Sequence, residues 1–237
     1  DISALLLDMG LGKSVITLTA IRNLIIKGEV GRVLVIAPLR VARSTWPDEI
    51  AKWDHLHDLT YSVAVGTEKE RLEALRKNVE IVIINRENVD WLVNKSGYRF
   101  NFDMIVIDEL SSFKSYSAKR FKALLKVRPY VERIVGLTGT PSSNGLMDLW
   151  AEYRLLDFGE RLGRYITRYR LKYFTPDKRS ATVIFSYKLL PGAEDEIYNA
   201  ISDITISMKA KDYLKMPDLI INEVTVDLDP TERRTYE

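Results

Sequence analysis

The run Leu5-Leu6-Leu7-Asp8-Met9-Gly10-Leu11-Gly12-Lys13-Ser14 constrains the fold more than any other stretch of the chain. Three leucines lead into two glycines and a Lys-Ser pair. An amphipathic segment follows, with Val15, Leu18, Ile21, Leu24 and Ile25 at helical spacing and Gly28 as its stop. The pattern reads as strand, tight loop, helix. Glycines let the backbone turn so that successive N–H groups face one anion, and the helix start adds its dipole. In that reading Met9, Gly10, Leu11, Gly12, Lys13 and Ser14 cradle phosphates, Lys13 reaches the terminal ones and the Ser14 hydroxyl ligates Mg²⁺. The usual spacing puts a glycine five residues before the Gly-Lys pair, where this chain has Leu7. A Gly-rich turn that merely caps a strand is therefore the other reading of the loop taken alone.

Downstream, short apolar runs alternate with amphipathic ones. Val33 to Ala37, Glu80 to Ile84, Asp103 to Ile107 and Glu132 to Leu137 each hold a continuous apolar core, the mark of a strand buried on both faces. Between them, helices are expected at 39–53, 68–76, 86–93 and 117–127, with a short strand at 61–65 and another helix at 144–156. In the first of these Val41, Ile50 and Trp53 should point inward, and Pro47 marks a break or a first-turn position. Strand–helix alternation of this kind argues for an α/β fold: a mostly parallel central sheet flanked by helices in three layers.

The texture changes after Asp157. Residues 161–179 carry seven Lys or Arg against one acid, interleaved with Tyr165, Tyr169, Tyr173 and Phe174. Leu162, Tyr165, Ile166, Tyr169 and Tyr173 would share one helical face, with Arg161, Arg164, Arg168 and Lys172 opposite. That face is either ordinary core with a solvated basic side, or a surface for DNA or another domain. A strand near 182–188, a helix at 193–201 and a strand at 219–228 complete the reading. The expected division is a domain over 1–157 and a basic, aromatic connector over 158–237.

Composition removes several classes. The 237 residues contain no cysteine, so disulfides and thiolate metal sites are excluded, and two histidines are too few for a His-based metal site. No apolar stretch approaches the roughly 20 residues of a membrane span. The net charge of +2 says little by itself.

Two acids, Asp108 and Glu109, close an apolar strand and should sit at its C-terminal end, on the sheet edge where ligands bind in open α/β folds. The phosphate loop leaves the same edge. Asp108 would hold Mg²⁺ together with Ser14, and Glu109 would orient and deprotonate an attacking water. Lys13, Asp108 and Glu109 are thus the catalytic candidates. A pair of solvated acids capping a turn is the plain alternative.

With Leu137-Thr138-Gly139-Thr140-Pro141 added, the chain resembles the first RecA-like domain of SWI/SNF-type superfamily-two helicase-like ATPases, and bacterial and bacteriophage members most. The motifs that carry the resemblance are DMGLGKS at 8–14, VLVIAPLRVARSTW at 33–46 followed by PDEIAKW, IVIINRENV at 81–89, VIDELSSFKS at 106–115 and LTGTP at 137–141. The resemblance implies ATP and Mg²⁺ as cofactors and movement along double-stranded DNA driven by ATP hydrolysis. It implies DNA contacts from Arg40, Arg43, Asn85 and Arg86, and coupling of the ATP site to DNA through Ser111, Thr138 and Thr140. It further implies a second RecA-like domain of the same full-length chain carrying an arginine finger, an adenine-recognising segment upstream of the loop, no membrane association, a monomeric fragment, and a cytoplasmic location in a bacterial cell or phage-infected host. Two departures stand out: Leu7-Asp8 replaces a pair of acids before Met-Gly, and Leu110-Ser111 follows the acids where Ala-His is usual. Another superfamily-two motor, acting in restriction or on RNA, and a non-catalytic nucleic-acid-binding module are the rival readings.

Overall fold

The structure is a computed structural model that describes residues 1–139, 145–178, 180 and 184–209. Seven strands form one sheet, in the spatial order β3 (Tyr61–Ala64), β4 (Ile81–Asn85), β2 (Val33–Ala37), β5 (Met104–Asp108), β6 (Arg133–Thr138), β1 (Ile2–Leu7), β9 (Thr205–Met208), and every pairing in it is parallel. A separate antiparallel hairpin joins β7 (Phe174–Pro176) to β8 (Tyr187–Leu189).

The continuous apolar runs have a simple cause. Alternate residues of each central strand enter different cores. Leu34, Ile36, Val82, Ile84, Ile105 and Ile107 face one core, and Val33, Val35, Ile81, Ile83, Met104 and Val106 the other. Each fully buried aliphatic side chain of this kind is worth about 1.5–3 kcal/mol. The second core is closed by α1 (Lys13–Ile26) and α2 (Trp46–Lys52), through Leu18, Ile21, Trp46 and Ile50. The first is closed by α3 (Glu68–Arg76), α4 (Val89–Asn94), α5 (Lys119–Val127), α6 (Leu149–Asp157), α7 (Ile166–Tyr173) and α8 (Ala193–Ile201). This is the three-layer α/β arrangement the sequence pattern demands.

Several local readings need correction. The helix expected over 39–53 is a π-helical turn, Val41–Thr45, running into α2. Pro47 sits in the first turn of α2, where its missing N–H does least harm; the Trp46 N–H reaches back to the Val41 carbonyl, one residue further than an α-helix allows. Trp53 does not point inward. The helix ends at Lys52, Trp53 turns extended, and its side chain is 38% exposed. Among the described residues of the basic stretch only 166–173 are helical; Leu162, Tyr169 and Tyr173 are buried, whereas Tyr165 is exposed. The strand expected at 219–228 lies outside the described residues.

The described residues beyond 157 are tied to the sheet. β9 pairs along the free edge of β1, and Tyr153 shares a 2.7 Å hydrogen bond with Thr205 at its start. The buried Asp157 carboxylate accepts N–H bonds from Gly159, Glu160 and Arg161, and the Arg161 guanidinium bridges Asp157 to Asp203 at 3.3 and 2.6 Å.

One buried group opposes this packing. Glu152 on α6 is fully buried, and neither of its carboxyl oxygens has a hydrogen bond among the described residues. Burial first, then the negative charges of Asp148 and Glu109, push its pKa well above the usual carboxylate range, against a smaller opposing pull from Lys114. The folded state therefore keeps a proton that the unfolded chain loses above about pH 4, and stability falls as pH rises past that point. Glu152→Met, which replaces the acid by an apolar side chain of similar length, is expected to stabilise the fold by roughly 1–3 kcal/mol at pH 8 and by less at pH 5. Urea unfolding at the two pH values checks this; an equal or absent gain contradicts it.

Candidate nucleotide and nucleic-acid site

Because the strands of the main sheet are parallel, the loops that follow them share one edge. Strand order then sets who stands beside whom. The Arg86 turn follows β4, the Arg40–Arg43 segment follows β2, Asp108 and Glu109 end β5, Thr138 ends β6, and the phosphate loop follows β1. With neighbouring strands about 4.8 Å apart, the acids lie two strands from the loop and one from Arg40.

The loop geometry comes from its glycines. Gly10 and Gly12 have φ of 84° and 73°, in the left-handed region that other residues enter only with strain. Gly12 is the cap of α1, so Lys13 and Ser14 are the first two helical residues and their N–H groups belong to the unpaired first turn. Lys13 folds over the loop, its ammonium donating to the carbonyls of Leu7 at 2.6 Å and Asp8 at 3.1 Å. Met9 stands out at 85% exposure. Gly139, just past β6, presses against this loop: a Cβ there would lie 3.4 Å from the Leu7 carbonyl oxygen and 3.8 Å from the Lys13 ammonium. A loop with backbone donors, one cation and no side chain in the way suits a polyphosphate.

The acids have distinct settings. Asp108 accepts a 2.9 Å hydrogen bond from the indole N–H of Trp46. Burial raises the Asp108 pKa; the Trp46 bond works against this, the charge of Glu109 adds to it, and Lys13 pulls it down. A divalent cation placed between Ser14 and Asp108 would oppose the cost of burying that charge. Glu109 is held differently. Its backbone is left-handed, φ 63° and ψ 63°, and its Oε1 accepts from both the Ser111 hydroxyl and, at 3.1 Å, the Thr138 hydroxyl. Ser111, in the turn after β5, and Thr138, the last residue of β6, thus meet on one carboxylate oxygen. Thr140 lies outside the described residues.

The expected DNA-facing residues divide into two pairs. Arg40 and Arg43 are exposed and make no ion pair among the described residues. Asn85 is 6% exposed, its amide spent on Glu87 and Asn88, and Arg86 pairs with Glu87 at 3.0 Å. Asn85 organises its turn from within.

Sequence reasoning gave the Trp46 indole N–H no role at the site and missed its bond to Asp108. It also missed that Val41, Thr45, Glu49 and Lys52–Trp53 line the cavity of about 580 Å³ shared with Gly12, Lys13, Ser14 and Asp108. The signal was present: these positions recur three or four apart, along one side of a helix.

Comparison with known proteins places this geometry. Residues 2–161 match the SNF2-related domain. Protein p41 of Acyrthosiphon pisum secondary endosymbiont phage 1 is 39% identical over 235 residues, which cover 96% of this chain and 51% of that protein. The DNA excision repair protein ERCC-6-like of Mus musculus is 30% identical over 175 residues, 71% of this chain and 14% of its own length. Among solved structures, the fold is similar to the Sulfolobus solfataricus SWI2/SNF2 ATPase core in complex with dsDNA, with a TM-score of 0.69 at 24% identity over 88% of this chain and 40% of that one. The chain spans about half the length of the phage relative and less of the others. On the match over residues 2–161, it belongs to the SNF2-related domain family of helicase-like ATPases.

Proposed function

We propose that this chain is the ATP-binding half of a DNA-dependent ATPase that moves along duplex DNA. The observation that carries the reading is the single sheet edge holding a phosphate loop, a braced carboxylate and two exposed arginines in that order. Lys13 and the loop N–H groups bind the β- and γ-phosphates, and Ser14 and Asp108 hold Mg²⁺. Held there, Mg²⁺ would supply positive charge against the phosphate oxygens. Glu109 accepts the proton of the attacking water, and the Ser111 and Thr138 hydroxyls keep its carboxylate aimed. Since Thr138 is on β6 and Gly139 touches the loop, a shift in that segment reaches both phosphates and base. Arg40 and Arg43 track a DNA backbone, a task that needs cations and no base readout.

The catalytic cleft is proposed to close only against a second RecA-like domain. Among the described residues that line the loop cavity there is no arginine to meet transition-state charge. Related phosphate-loop enzymes gain about 10³-fold or more from such a group.

Lys13→Ala is expected to abolish Mg·ATP binding by this chain, read by calorimetry; unchanged affinity removes the phosphate-loop assignment. In a protein carrying both domains, Glu109→Gln should bind ATP normally and hydrolyse it roughly 10³-fold more slowly. Turnover like that of wild type would show that another group takes the proton. For duplex DNA, Arg40→Ala and Arg43→Ala should each weaken binding without regard to sequence and reduce the slope of log affinity against log salt by about 0.9. An unchanged slope places the DNA elsewhere.

A further inference from the structure

Trp53 stands where a packing residue would not. Its indole is 38% exposed, whereas Trp46 is fully buried and Trp150 is 5% exposed. Yet the ring is not loose. Its N–H donates to Glu49 Oε2 at 2.8 Å, the Lys52 ammonium lies 5.1 Å from the ring centroid, and the His55 ring meets it edge-on at 6.4 Å. Glu49 and Trp53 lie one helical turn apart, so α2 itself fixes the brace. A large aromatic held rigid at the surface gives up the gain of burial unless something covers it.

What covers it is indicated by where it stands. The ring forms a wall of the same cavity as Lys13, Ser14 and Asp108. The cavity also takes in Met9, itself exposed. A nucleotide whose phosphates lie on the loop carries its base one sugar away, within a groove continuous with that loop. We propose that Trp53, braced by Glu49, is the stacking platform for the purine base of the bound nucleoside triphosphate. The inference rests on the phosphate-loop reading above and adds a base-binding wall drawn from α2. Stacking is tolerant of base identity because every base offers a π face, so Trp53 supplies affinity and not the choice between purines.

The test compares Mg·ATP with Mg·tripolyphosphate, which has the phosphates and no base, by calorimetry on the 237-residue chain. Wild type should bind Mg·ATP more tightly than Mg·tripolyphosphate. Trp53→Ala should lose on the order of tenfold for Mg·ATP and nothing for Mg·tripolyphosphate, which also reports that the variant is folded. Trp53→Phe, which keeps a stacking face, should recover most of the loss while abolishing the ATP-dependent quenching of tryptophan emission. Equal Mg·ATP affinity in wild type and Trp53→Ala overturns the platform and leaves the phosphate loop standing. Failure of wild type to bind either ligand overturns the phosphate-loop reading, and the platform with it.

Discussion

Two-sided burial of a parallel sheet is the constraint on which this molecule depends. The central strands give alternate residues to two separate cores, so neither face can be left to water. Helices must cover both faces, and the connections from one parallel strand to the next must cross the sheet. The loops that leave the strands therefore collect along one edge. Chemistry at that edge is a consequence of strand order. β6 lies between β5 and β1, and this alone sets Thr138 beside Glu109 and Gly139 against the phosphate loop, although 29 residues separate Thr138 from Glu109.

Stability is given up close to that edge. Glu109 holds a left-handed backbone without being glycine, a conformation that costs on the order of 1–2 kcal/mol. Two hydroxyls on its carboxylate offset part of that cost and fix its aim. Asp108 is partly buried at the cavity wall, where it accepts a hydrogen bond from the Trp46 indole N–H. Behind them Glu152 is buried with no hydrogen bond among the described residues. Two acids in one region, Asp108 and Glu152, with pKa values raised by burial are the pattern of a site whose geometry is maintained by the surrounding core. Leu110 shows how tightly that core is built: a Cβ on Gly136 would come within 2.6 Å of its Cδ2.

The chain beyond residue 157 shares in this frame. Its strand β9 occupies the position next to β1, the strand that launches the phosphate loop. Arg161 clamps Asp157 to Asp203, and Trp150 donates to the Gly163 carbonyl at 2.8 Å. The segment after α6 is thereby tied to the strand beneath the nucleotide loop through paired backbones.

The sequence by itself determined the elements that local chemistry dictates. Glycines before Lys13 specify a loop that only they can form, continuous apolar runs specify strands covered on both faces, and acids at the end of such a run must lie at a sheet edge. The helix at 193–201 was legible to the residue for the same reason, with Gly192 at its start and Ala193, Ile197 and Ile201 on its buried side. Tertiary structure alone decided the rest. Trp46 and Trp53 look alike as aromatic residues near a helical period, but one meets Asp108 from a distant strand and the other is left outside because α2 ends before it. Ser111 and Thr138 meet on one oxygen, and Asn85 is drawn inward by Glu87 and Asn88. Such relations depend on which strands lie side by side and where each helix stops, and those follow from how the whole sheet buries its two faces.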